Sequence, residues 1–186
     1  MTNSTADGDH AFATPAVLRD GTRVTIRVMR PDDRDRIVAA FAKLEEGTIY
    51  TRFFSFLKEI PARALDRIAE IDFVRFAGLV ATLGSGADET VIGGATYAGS
   101  IAADGKRVAE IAFTIQEDYQ GQGLATRLLG ALVAIARRHG IARFTAEVLA
   151  RNAAMLAVFE RSGLPMRRQR QDGVLHVELD LDAASS

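Results

Sequence analysis

The chain has 186 residues, 48% of them hydrophobic and 25% charged, which suits one soluble domain with a sizeable core. Its 24 acidic residues nearly cancel its 23 basic ones, and the net charge of −1 provides no general basic field for nucleic acid or an anionic membrane. There is no cysteine, which excludes disulfides, thiolate metal sites and a cysteine acyl-enzyme.

Residues 1–17 read as a disordered tail, most clearly up to Thr14, where Thr, Asn, Ser, Asp and Gly dominate. The tail lacks the apolar segment of a signal peptide, and no apolar run is long enough to cross a bilayer, so a cytoplasmic location is expected. Leu18-Arg19-Asp20-Gly21-Thr22 places a turn. Arg23 to Met29 then alternates Val24, Ile26 and Val28 with polar residues, as a strand does. Arg30-Pro31-Asp32-Asp33 reads as a helix start, and Ile37, Val38, Phe41 and Leu44 give that helix an apolar stripe before Gly47. Ile49 to Leu57 is dense in aromatics (Tyr50, Phe53, Phe54, Phe56) and reads as a hydrophobic plug rather than a ligand box.

Pro61 to Ile71 reads as a second helix buried through Leu65, Ile68 and Ala69. Phe76–Leu83 and Thr90–Tyr97 read as strands, and Gly93-Gly94 inside the second suggests a bulge or a close backbone approach. A further strand spans Arg107 to Gln116. The turn Glu117-Asp118-Tyr119-Gln120-Gly121-Gln122-Gly123 leads from it into a long amphipathic helix. Leu124, Leu128, Leu132, Ile135 and Ala136 form its stripe, and it ends at Arg137-Arg138-His139 before Gly140. Arg143–Leu149 is a strand, Asn152 caps a helix with Met155, Leu156 and Phe159 inward, and Gly163 stops it. Two last strands, Leu164–Gln171 and Val174–Leu181, flank the hairpin signal Asp172-Gly173, and residues 183–186 fray. With no repeat or linker, the pattern gives a single mixed α/β (α+β) domain. Its sheet is mostly antiparallel, of about seven strands flanked by about four helices.

The glycine turn before the long helix is the stretch that carries chemistry. A helix start offers unpaired N–H groups and partial positive charge, and Gly121 and Gly123 let a ligand approach that backbone. A phosphate seat and a plain tight turn both satisfy this pattern. A dinucleotide fingerprint is excluded because Thr126 stands where its third glycine belongs, and no P-loop Gly-Lys-Ser/Thr occurs.

The run Gln120-Gly121-Gln122-Gly123-Leu124-Ala125 resembles motif A of the GNAT acetyltransferase superfamily. The order of elements from Arg23 to Leu181 is also similar to that fold, which assigns residues 18–182 to the domain. Asn152 through Phe159 to Gly163-Leu164 resembles the family's last helix. The N-terminal half is most similar to bacterial Pat-type protein lysine acetyltransferases. The residues that carry this are Leu18-Arg19-Asp20-Gly21, Ile26 to Asp33, Tyr50 to Ser55, Glu70 to Phe73 and Ala109-Glu110-Ile111-Ala112-Phe113. The resemblance implies acetyl-CoA as co-substrate, gripped by Gln120, Gly121, Gln122, Gly123, Ala125 and Thr126. Phe113, Thr114 and Ile115 would border the pantetheine arm where this strand splays from Arg143–Leu149, and Asn152 would join them. It implies a lysine acceptor, with an acyl-CoA synthetase as one protein partner. The alternatives are a small-amine acetyltransferase and a non-catalytic acyl-CoA-binding module, and either a monomer or a homodimer fits.

A lysine amine, with a pKa of about 10.4, must lose a proton before it attacks. Glu110 lies inside a strand, where glutamate is disfavoured, beside small Ala112 and Thr114. It is the candidate general base, and the resemblance points to the same residue. Glu117, Asp118, Glu147 and His176 are weaker candidates: Glu117, Asp118 and His176 read as solvated, and Glu147 either borders the cleft or faces water. Many GNAT enzymes have a Tyr where Phe159 stands, so a tyrosine acid at this position is excluded. Three scattered histidines give no metal-ligand spacing, so no metal is expected.

Overall fold

Strand pairing organises the chain, and the structure, a computed structural model, describes residues 8–48 and 59–182. Eight strands form one sheet: β1 (Ala13–Val17), β2 (Arg23–Val28), β3 (Phe76–Leu83), β4 (Thr90–Ile101), β5 (Arg107–Ile115), β6 (Arg143–Leu149), β7 (Met166–Gln171) and β8 (Val174–Asp180). Their spatial order is β1-β2-β3-β4-β5-β6-β8-β7. Every neighbouring pair is antiparallel except β5 with β6. The mixed, mostly antiparallel class is therefore as expected, with one strand more at the edge.

That extra strand corrects the reading of residues 1–17 as a tail. Ala13–Val17 pairs with Arg23–Arg27, and ahead of it Asp9 is buried against Arg138 and His139. Pro15 has no N–H to offer a ladder, and an edge strand is where it is tolerated. The aromatic run 49–57 and the last four residues lie outside the described residues.

The helices form where expected with shorter bounds, but Val38 of the first stripe and Ala69 of the second are exposed. Pro31–Asp33 forms a 3₁₀ turn that leads into α1 (Arg34–Phe41). α2 (Ala62–Asp66) continues as a 3₁₀ turn over Arg67–Glu70. α3 (Leu124–Arg138) buries every residue of its expected stripe, and α4 (Ala153–Arg161) buries Val158 and Phe159. Gly140 ends α3 at φ 72°, with the Ile141 N–H donating back to the Ala136 carbonyl. Asp172 and Gly173 both take positive φ, as a two-residue hairpin turn with the right twist requires.

The core lies between α3, α4 and one face of the sheet, where Leu128, Leu132, Ile135, Tyr97 and Phe144 are fully buried. α1 and α2 cover the opposite face over β3, β4 and β5. Both readings of Gly93-Gly94 hold. The β3–β4 register shifts there by one residue, and a Cβ on Gly94 would meet the Leu79 carbonyl oxygen at 2.7 Å.

Candidate functional site

β5 and β6 pair over only three residues, Val108–Glu110 with Arg143–Thr145. Beyond Glu110 the two strands part, although β5 runs on to Ile115 and β6 to Leu149. Beside the end of β5, the start of α3 and the length of α4 lies a cleft of about 520 Å³, within the range of small-molecule sites.

The glycine turn forms one wall. Gly121 has φ 70° and Gly123 φ 89°, so both sit in the left-handed region that side chains resist. A Cβ on Gly121 would meet no protein atom within 4 Å, and one on Gly123 would reach only the Arg19 Nε at 4.0 Å. Backbone conformation demands these glycines; protein packing does not. Gly123 caps α3 without a side-chain hydrogen bond, and the first turn of α3 has no acidic residue. The unpaired N–H groups and the positive helix pole are thus left to whatever anion enters.

Of the ten residues expected at the cofactor, Phe113, Thr114, Ile115, Gln120, Gly121, Gly123, Ala125, Thr126 and Asn152 line this cleft, and Gln122 does not. The Gln122 carbonyl instead accepts the Arg19 N–H at 3.2 Å. Gln120 donates to the Ile115 carbonyl at 2.9 Å, bracing the turn against the end of β5. Asn152 accepts the Met155 N–H and caps α4. Sequence reasoning missed Arg19, Arg151 and Arg161, which bring three cations to the cleft wall from three separate segments. Arg19 also donates to the Gly121 carbonyl at 3.0 Å, so the β1–β2 turn holds the glycine turn from outside. Its place in Leu18-Arg19-Asp20-Gly21 was the available signal.

Glu110 stands outside the cleft, exposed at the fork, between Ala98 of β4 and Thr145 of β6. Its carboxylate takes no hydrogen bond or ion pair from a described residue. Strand alternation puts Glu110, Ala112 and Thr114 on one face, each about 7 Å from the next. Ala112 and Thr114 border a second, apolar cavity of about 140 Å³ beneath α1 and α2, and Thr114 lines both spaces.

The weaker candidates have other occupations. Glu117 accepts the Glu45 N–H at 3.0 Å, which corrects its reading as merely solvated. Glu147 pairs with His176 at 3.4 Å, both half-exposed and away from the cleft. Phe159 is buried, edge-on to Phe113 at 6.3 Å between ring centroids, so it lies in the core. Among the described residues no group of three His, Asp or Glu could hold a metal ion. None of the described helices is long and apolar enough to cross a membrane.

The site therefore offers an anion seat, a cleft beside the parted strands and a carboxylate at the fork that no described residue pairs. Comparison with known proteins identifies the family. Residues 23–165 match the acetyltransferase (GNAT) domain family. The chain is 34% identical over 174 residues to the acetyltransferase Pat of Mycolicibacterium smegmatis, covering 92% of this chain and 50% of that protein. An acetyltransferase of Pseudomonas aeruginosa is 33% identical over 149 residues, covering 80% of this chain and 77% of the relative. The structure superposes on the GNAT domain of S. lividans PAT with a TM-score of 0.79 and 36% identity, covering 90% of this chain and 96% of that one. The chain thus spans about half the length of the mycobacterial relative and nearly all of the solved domain.

Proposed function

The chain belongs to the GNAT acetyltransferase family, and we propose that it moves the acetyl group of acetyl-CoA directly to a lysine side chain of another protein, with Glu110 as general base. The observation that carries this reading is the fork. β5 leaves β6 immediately after Glu110, and the cleft that would hold the cofactor begins at Phe113 on the same strand, so the carboxylate stands where the strands part and the cleft lies just beyond it.

Each part then has a task. The N–H groups at the start of α3 and the nearby arginines receive the pyrophosphate. The pantetheine arm runs through the gap between β5 and β6, placing the thioester beside Ala112 to Thr114. Glu110, through a water, takes the proton of the incoming ammonium. The neutral amine attacks the carbonyl carbon, the oxygen gains charge, and a backbone N–H of β5 stabilises it. The new C–N bond forms as the C–S bond breaks, the electron pair leaves with sulfur as thiolate, and the nitrogen gives up its second proton to solvent. Phe159 cannot protonate that sulfur, and a free thiol with a pKa of about 8.5 is a tolerable leaving group unprotonated. With no cysteine for a covalent intermediate, the two substrates react in one complex, where holding them together supplies much of the rate.

The lysine acceptor rests on the similarity to Pat acetyltransferases, and an acyl-CoA synthetase is the protein to try first. Incubating such a synthetase with acetyl-CoA and this chain should acetylate one lysine, mapped by mass spectrometry. Rapid acetylation of free small amines with no modified protein lysine would overturn the acceptor assignment.

A further inference from the structure

We infer that the apolar cavity under α1 and α2 is an acyl-chain pocket, so the chain accepts CoA thioesters of about four to six carbons as well as acetyl. This rests on the cofactor reading above and extends it to the group transferred.

Continuity is the first ground. Thr114 stands in the wall of both spaces, and next to it along the same face Ala112 contributes only a methyl group. A thioester lying at Ala112 to Thr114 therefore points its acyl group at the cavity mouth. Size is the second. The cavity holds about 140 Å³, close to the roughly 150 Å³ of an engineered apolar cavity that takes up benzene. An acetyl methyl fills little of that.

The lining is the third ground. Phe41, Leu65, Phe76 and Val80 present hydrocarbon. Among the described residues the wall's polar side chains are Thr96, Thr114 and Gln116, whose amide N–H donates to the Val91 carbonyl at 3.1 Å and the Ala40 carbonyl at 3.5 Å. An uncharged chain suits such a space and an ammonium does not. The only carboxylate on this face of β5, Glu110, lies outside the cavity and exposed. The charged acceptor thus approaches at Glu110, and the acyl tail turns the other way, under α1.

Calorimetric titration of the full chain with acetyl-, propionyl-, butyryl- and hexanoyl-CoA, without any acceptor, tests this. Burying a methylene is worth about 0.8 kcal/mol, so affinity should rise about fourfold per added methylene through butyryl. Ala40→Leu and Ala64→Leu each add bulk to the cavity wall. Each should cut the hexanoyl-to-acetyl affinity ratio at least tenfold, with folding checked by the melting transition. Acetyl-CoA binding with a flat or falling chain-length series overturns the pocket alone and leaves the cavity to the acceptor's stem. No binding of any CoA thioester overturns the cofactor reading, and the pocket with it.

Discussion

Replacing Glu110 with Gln keeps the side chain's size and removes its capacity to accept a proton. Turnover should fall by roughly 10²–10⁴-fold, the usual worth of a positioned base. Acetyl-CoA affinity should stay near that of the parent chain, because Glu110 is outside the cofactor cleft. The deficit should narrow as pH rises, since more of the acceptor amine is then already neutral; a pH–rate profile reads this. Glu147→Gln, whose carboxylate faces His176, should lose far less. Gly123→Val is the complementary test. At φ 89° a branched side chain is strained and would crowd the seat, yet the nearest protein atom to a new Cβ is 4.0 Å away. The variant should remain folded and lose the rise in melting temperature that acetyl-CoA gives the parent chain.

Among the elements, α1 is the one whose placement depends on charge. Arg27 of β2 is buried and donates to both carboxylate oxygens of Asp33 at 2.7 Å and to Glu89 at 3.0 Å. Asp33 caps the start of α1, and Glu89 sits at the entry to β4, so one guanidinium ties the roof of the apolar cavity to its floor. Arg27→Met would leave the buried Asp33 with only the Arg30 N–H and the Arg36 guanidinium at 3.5 Å, and denaturant unfolding should show a loss of about 3 kcal/mol. Burial pushes the Asp33 carboxyl up, but the Arg27 donors and the Arg30 N–H outweigh it and hold its pKa below the usual value. Glu89 is lowered chiefly by its bonds from Arg27. At Asp72 burial acts upward too, and the Arg75 guanidinium with three backbone N–H groups brings it down to about 2. Such groups take up protons in the unfolded chain first. Their stabilisation is therefore complete only above a pH of about 5 and drains away as pH falls towards 2. Thermal melts across that range should show the decline.

Legibility varied by element for related reasons. The α3 stripe and the Asp172-Gly173 turn were readable because their signals are local: a 3.6-residue period and a required positive φ. β1 was not, since Ala13–Val17 offers little contrast between its faces and contains a proline. Arg27 looked like a solvent-facing strand position, because its partners lie 6 and 62 residues away. The glycine turn, and the place of Glu110 on one strand face with Ala112 and Thr114, could be read in advance. Arg151 and Arg161 could not, since only the fold brings them to one cleft with Arg19.

At the scale of the whole molecule, β5 and β6 divide the sheet into two antiparallel parts, β1 to β5 and β6-β8-β7. Three register pairs and α3, which packs on β3, β4 and β5 and against α4, hold these parts together. A sheet built this way has a seam, and the seam is where it should open first. Native-state hydrogen exchange should show residues 143–145 exchanging through sub-global opening at a lower free energy than the β3–β4 hairpin. Acetyl-CoA, gripping the end of β5 on one side and the start of α4 on the other, would bridge the seam. At a ligand concentration 100 times Kd, exchange through that opening should slow about 100-fold, while exchange at the β1 edge stays nearly unchanged. The split that admits the substrate would then double as a mechanical hinge line, and occupancy of the site would be legible in the protection of amides that never touch the ligand.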